Sequence, residues 1–199
     1  MDSANLQGPM ALPASGGAPR SMVILLHGYG SNGDDLIGLV PYWRSALPDT
    51  VFLSPNAPEP CPGAPGGRQW WALTNFSPDA RAAGVRQAAP ILNGFIDSQL
   101  AAYGLSEDRL ALVGFSQGTM MALHVGLRRP IAGIVGYSGM LADAEGLAAA
   151  PSKPSGSSVV WAWPRAANGT IGSASPCTSS TGGFDGAAAR PSASASMPE

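Results

Sequence analysis

Four short runs in this chain are apolar at nearly every position, and they constrain its fold more than any other feature. "MVILLH" (22–27), "VFLS" (51–54), "LALVGF" (110–115) and "IAGIVGY" (131–137) show no alternation of apolar and polar residues. A strand with one wet face alternates, whereas a strand covered on both faces does not. Helical patterns lie between these runs. Asp34 and Asp35 can open a helix through Leu36, Leu39 and Trp43, with Pro41 either in its first turns or breaking it. From Pro78 to Tyr103, Val85, Ile91, Leu92, Phe95, Ile96 and Leu100 recur at helical spacing, with Pro90 as a kink or boundary. Ser106 and Asp108 read as a short connecting turn. Strand, helix, strand, helix in this order predicts an α/β protein with a mostly parallel sheet flanked by helices.

The chain has 199 residues, enough for one buried core, and a formal net charge of −2 with both signs mixed along it. No basic stripe is present to hold nucleic acid or an anionic membrane surface, so neither is an expected partner. No apolar run reaches the roughly 20 residues that span a bilayer. The N-terminal "MDSANLQGPMALPASGGAPR" lacks a basic segment followed by an apolar one, so no secretory signal is read there and the cytoplasm is the expected location. Cys61 and Cys177 are isolated, without a C-x-x-C, so no metal site is expected. A Cys61–Cys177 disulfide and two free thiols both remain open.

The composition changes at Pro151. Residues 1–150 read as the globular core, and 151–199 as a low-complexity tail of Ser, Ala, Pro and Gly that contains no leucine. Such a tail cannot bury enough apolar surface to offset the entropy of ordering it, so disorder is expected, with "VVWAW" (159–163) as its single strand-like run.

The chemistry centres on "GFSQG" (114–118). G-x-S-x-G is a common pattern in a chain with 26 glycines, and its context carries the argument. "LALV" is a strand ending directly at Gly114, and "QGTMMALHVGLRR" is a helix with Arg128 and Arg129 in its last turn, stopped by Pro130. A strand, a sharp turn and a helix are what a nucleophile elbow requires, and Gly114 and Gly118 supply the small residues the turn needs. Ser116 is the nucleophile in this reading. Upstream, "LLHGYGSNGDDL" (25–36) ends a strand in H-G-x-G, placing a loop at the carboxyl end of the sheet. The backbone N–H groups of Tyr29 and Gln117 are then the oxyanion donors. A phosphate-cradling role for "GYGSNG" fits less well, since the loop lacks both GK[ST] and an in-register G-x-G-x-x-G.

With "LLHGYGSNGDDLIGL" (25–39), "FLSPNAPEPCPGAPGGRQWWAL" (52–73), "LVGFSQGTMMAL" (112–123) and "GIVGYSGML" (133–141) in order, the chain resembles the bacterial carboxylesterase and acyl-protein thioesterase family, also called the phospholipase/carboxylesterase family. The similarity runs from about Arg20 to Ala150. It implies an α/β-hydrolase fold, incomplete here at its C-terminal edge, no cofactor, and hydrolysis of carboxylic ester or thioester bonds of small acyl substrates. It implies Ser116 as nucleophile with the Tyr29 and Gln117 amides as oxyanion donors. The "QWW" at 69–71 matches the loop that borders the acyl groove in the family, so Trp70 and Trp71 are either substrate contacts or core aromatics.

The family pattern also demands a strand ending in H-G-x-x-D, bearing the triad acid, and a later G-H bearing the base. Neither occurs: the chain's two histidines are His27 and His124, and Asp185 in "GGFDGA" lacks the surrounding motif. The loss of resemblance coincides with the change in composition, which reads as a C-terminal part missing or out of frame. Translating the other frames beyond codon 150 in search of H-G-x-x-D and then G-H checks that expectation. His27 is the strand-end histidine beside the oxyanion loop. His124 is eight residues past Ser116, about 12 Å along a helix, too far for a general base. The expected outcome is family chemistry at a trace level, or an acyl-binding module without turnover.

Overall fold

The structure is a computed structural model that describes residues 6–148 and the backbone of 158–162. The main sheet has the order β1-β3-β2-β6-β7-β8, formed by β1 (Met10–Ala11), β2 (Ser21–Leu26), β3 (Thr50–Leu53), β6 (Leu110–Phe115), β7 (Gly133–Tyr137) and β8 (Ser158–Ala162). All neighbours are parallel except β1, which runs antiparallel to β3 at the edge. A two-stranded ribbon of β4 (Glu59–Pro60) and β5 (Arg68–Gln69) stands apart from it.

The unbroken apolar runs are explained by the two faces they serve. In β2, Met22, Ile24 and Leu26 turn to one face, where they meet Val51, Leu53, Leu110, Leu112 and Ile134 from the neighbouring strands. Helices α3 (Pro78–Tyr103) and α4 (Gln117–Gly126) cover that face with Val85, Leu92, Ile96, Met121 and Leu123. Val23 and Leu25 turn to the other face, with Phe52 and Val113, under Val40, Leu36 and Trp43 of α1 (Gly33–Ile37) and α2 (Val40–Trp43). A period of two therefore persists in the packing although hydropathy conceals it.

Helix boundaries follow local chemistry. The first helical segment splits, with Asn32 capping α1 through the Asp34 amide and Pro41 in the first turn of α2, where its missing N–H costs nothing. Ser77 caps α3 by accepting from the Ala80 amide, and Gly104 ends it at φ 63°, a left-handed conformation that glycine adopts freely. The helix runs through Pro90 instead of ending there, because Pro90 lies on the exposed side. Helix α4 stops at Gly126, short of the two arginines, and Arg128 folds back to donate to the His124 carbonyl at 2.6 Å. A last short helix, α5 (Ala144–Ala148), follows β7.

Strand β8 coincides, one residue early, with the single strand-like run expected beyond residue 151, and it pairs with β7 from Gly133↔Ser158 to Tyr137↔Ala162. The sheet thus takes in a strand past residue 150, and β7 is an interior strand. The expected disorder of the rest of 151–199, together with Cys177 and Asp185, lies outside the described residues.

Candidate active site

β6 ends at Phe115 and α4 begins at Gln117, so Ser116 alone makes the reversal between them. Its backbone takes φ 53° and ψ −112°, a conformation that costs an L residue about 1–3 kcal/mol and persists only when its surroundings enforce it. The enforcement is visible. The Ser116 N–H donates to the Tyr137 carbonyl at 2.8 Å, and the Ser116 carbonyl accepts from the Thr119 and Met120 amides at 3.0 and 3.2 Å. Thr119 closes the turn on the far side, its hydroxyl donating to the Tyr137 carbonyl at 2.7 Å and accepting from the Tyr137 amide at 3.1 Å. The two flanking glycines are steric requirements. A Cβ at Gly114 would stand 2.5 Å from the Gly118 oxygen, and one at Gly118 would stand 1.9 Å from the Leu26 oxygen. Ser116 is half-buried at the carboxyl end of the sheet, and its side chain makes no capping hydrogen bond.

The H-G-x-G loop passes directly beside this serine. A Cβ built on Gly28 would lie 3.3 Å from the Ser116 Cβ. His27 governs the loop from beneath. Its fully buried ring has Nδ1 at 2.8 Å from the Gly28 carbonyl and Nε2 accepting from the Ala57 amide at 2.9 Å. An N–H donated to Nε2 requires that nitrogen to be unprotonated, so the proton sits on Nδ1 and is given to Gly28. Burial pushes the His27 pKa below 6.5, consistent with a neutral ring. In a trans peptide the carbonyl and the following N–H point in opposite directions. Tethering the Gly28 carbonyl to the buried ring therefore turns the Tyr29 N–H away from it. The Gln117 N–H is oriented in the same manner, because the Ser116 carbonyl is tied into the first turn of α4. Neither N–H has a hydrogen-bond partner among the described residues.

The loop at 69–71 lies across the base of both elements. Trp70 and Trp71 are 1% and 4% exposed and pack in the core cluster beneath the sheet's carboxyl end. The Trp70 indole donates to the His27 carbonyl at 3.0 Å, and Trp71 packs on α3 at Gly84. Motif reading did not anticipate the Gln117 side chain, which accepts from the Trp70 amide and donates to the Trp71 carbonyl, both at 2.9 Å. Thr119 was missed as well. Its signal was a polar β-branched residue in the first turn of a helix otherwise suited to burial.

Both histidines of the chain are buried. Both ring nitrogens of His27 are occupied. His124 lies at the other end of α4, buried, with Nδ1 at 3.5 Å from the Asp143 carboxylate and without a hydrogen bond among the described residues. Asp143 is already neutralised by Arg86 and, at 3.3 Å, by Arg128, and it caps α5 by accepting from the Gly146 amide at 3.1 Å. The arginine contact holds the Asp143 pKa below its ordinary value. Desolvation, reinforced by Arg128, lowers His124 to about 4, so that ring is neutral despite its acidic neighbour. Among the described residues no group of three or more His, Cys, Asp or Glu gathers to hold a metal, and no helix is long and apolar enough to cross a membrane. Cys61 is buried and unpaired among the described residues.

Comparison with known proteins gives a consistent result. The family model described as phospholipase/carboxylesterase matches residues 10–159. Acyl-protein thioesterase 1 of Schizosaccharomyces pombe is 34% identical over 131 residues, covering 62% of this chain and 58% of that protein. Esterase YpfH of Escherichia coli is 32% identical over 106 residues, covering 53% and 45%. The chain thus spans about half the length of the curated relatives it matches. The crystal structure of esterase PE8 superposes with a TM-score of 0.73 at 42% identity, covering 79% of this chain and 75% of that one.

Proposed function

Because the chain belongs to the phospholipase/carboxylesterase family of α/β-hydrolases, we propose that it carries the acylation half of a serine carboxylesterase or thioesterase site, with Ser116 as nucleophile. The observation that supports this most is the backbone of Ser116, held at positive φ between β6 and α4 beside the Gly28–Tyr29 loop. The Ser116 oxygen attacks the acyl carbon of a small ester or thioester, and the Tyr29 and Gln117 amides receive the oxyanion. As the tetrahedral species collapses, the bond to the alkoxide or thiolate breaks and the proton lost by the serine goes to the leaving group. Water then cleaves the acyl-serine. No cofactor enters these steps.

The proton transfer is where this chain is deficient. A serine hydroxyl needs a base within about 3 Å, and loss of a triad histidine costs up to about 10⁶-fold in kcat. His27 has both nitrogens committed and His124 is remote, so turnover is severely impaired and rests on oxyanion stabilisation alone. The alternative, an acyl-binding module without turnover, draws on the same observation. Hydrolysis of 4-nitrophenyl acetate or butyrate separates them. Trace turnover that disappears in Ser116→Ala is the expected result. Turnover at ordinary enzymatic rates, about 1 s⁻¹ or more, would overturn the impairment. A trace rate unchanged in Ser116→Ala would overturn the nucleophile.

A further inference from the structure

We propose that the Gln117 side chain is a positioning group for the oxyanion site, tying the Ser116–Gln117 peptide to the 69–71 loop and, through the Trp70 indole, to the end of β2. This inference rests on the reading of Tyr29 and Gln117 as oxyanion donors.

One carboxamide bridges two successive backbone groups: its oxygen accepts from the Trp70 N–H and its nitrogen donates to the Trp71 carbonyl, both at 2.9 Å. Gln117 is 1% exposed, so no water competes for either bond. The next link is the Trp70 indole on the His27 carbonyl at 3.0 Å, and the next is the His27 ring on the Gly28 carbonyl, whose peptide carries the Tyr29 N–H. Every step from one donor to the other is therefore a covalent bond or a buried hydrogen bond. The loop is also held from its opposite side. A Cβ at Gly84 would come within 2.3 Å of the Trp71 indole, so α3 gives the ring no room to retreat.

Backbone donors cannot be re-aimed by their own side chain's rotamer; their direction is set by whatever holds the two segments in register. Such donors stabilise an oxyanion only when they stand about 2.7–3.1 Å from it. They arise here from segments some ninety residues apart, the loop after β2 and the start of α4. An apolar side chain could fill the same buried space without two directional bonds, so the carboxamide's geometry matters beyond packing.

The test is acylation of Ser116 by 4-nitrophenyl butyrate, followed by intact-protein mass over a range of ester concentrations, with Ser116→Ala as the blank. Gln117→Met keeps the length and removes both bonds. Its maximal acylation rate is expected to fall at least about tenfold with the half-saturating concentration unchanged, the signature of donors displaced by a fraction of an ångström. Trp70→Phe keeps an aromatic ring but removes the indole N–H together with the rest of the five-membered ring, and it provides the result should Gln117→Met fail to fold. A fall of about three- to fivefold at unchanged half-saturation is expected for it. Wild-type rates in the folded variants would end the proposal and leave Ser116 as nucleophile. So would a loss that appears in half-saturation and not in maximal rate. A wild-type chain that never acylates at Ser116 would overturn the parent reading and this proposal with it.

Discussion

His27 shows how much one residue's role depends on its two nitrogens. It sits beneath the serine with Nδ1 committed to Gly28 and Nε2 to Ala57, so it organises the loop and has no lone pair to offer a substrate proton. Replacing it with alanine orphans a carbonyl and an amide and opens a cavity. His27→Ala is expected to lose about 3–5 kcal/mol of stability, from about 1–3 for each stranded group plus the cavity. Urea unfolding reads this as a lower midpoint at unchanged slope, and a midpoint within error of wild type would refute the tether. The serine's own backbone strain belongs to the same scale. It was implied by G-x-S-x-G, since the pattern exists to allow that turn, whereas the paired bonds of Gln117 left no mark in any local pattern.

Among the elements, α3 is the most instructive. Its extent from Pro78 to Tyr103 and its buried stripe through Val85, Leu92, Ile96 and Leu100 follow from spacing, and the structure adds the caps, Ser77 at the start and Gly104 at the end. Pro90 was the ambiguous residue, because a proline ends a helix only where nothing else sustains it. Here the stripe on either side is anchored in one core, and tertiary packing outweighs a loss of about 3 kcal/mol. Pro90→Ala restores the amide that can reach the Arg86 carbonyl, while releasing about 0.4–1 kcal/mol of unfolded-chain entropy in the opposing direction. A net gain of about 1–2 kcal/mol is expected, measured as a higher denaturation midpoint. A lower midpoint would mean that the proline is relieving strain in α3.

At the scale of the whole molecule, pH acts through groups that bind protons differently when folded and unfolded. His27 and His124 are both held below 6.5, His124 at about 4. Below pH 6.5 the unfolded chain takes up protons that the folded chain refuses, so stability is complete above 6.5 and declines as pH falls toward 4. Each such histidine contributes a slope of up to about 1.4 kcal/mol per pH unit. Asp143, held below 3.8 by Arg86, adds a further loss at lower pH, as the carboxylate that joins α3, α4 and α5 protonates. Stability measured from pH 8 to pH 4 should be flat at first and then fall. His124→Gln should flatten that fall, and an unchanged profile in this variant would show that His124 is not held neutral.

The α/β class, the elbow at Ser116 and the loop at His27–Gly30 were legible in the chain because each is written in neighbouring residues: unbroken apolar runs, small residues flanking a serine, a strand ending in a histidine and glycines. Which face each apolar residue serves was not legible, because a strand covered on both sides carries no hydropathic alternation. The burial of Trp70 and Trp71, the carboxamide of Gln117 clasping their backbone, and the convergence of Arg86, His124 and Arg128 on Asp143 were likewise hidden. These contacts join residues fifteen to fifty-seven positions apart, and only the stacking of helices α3 and α4 on the sheet brings such partners within bonding distance.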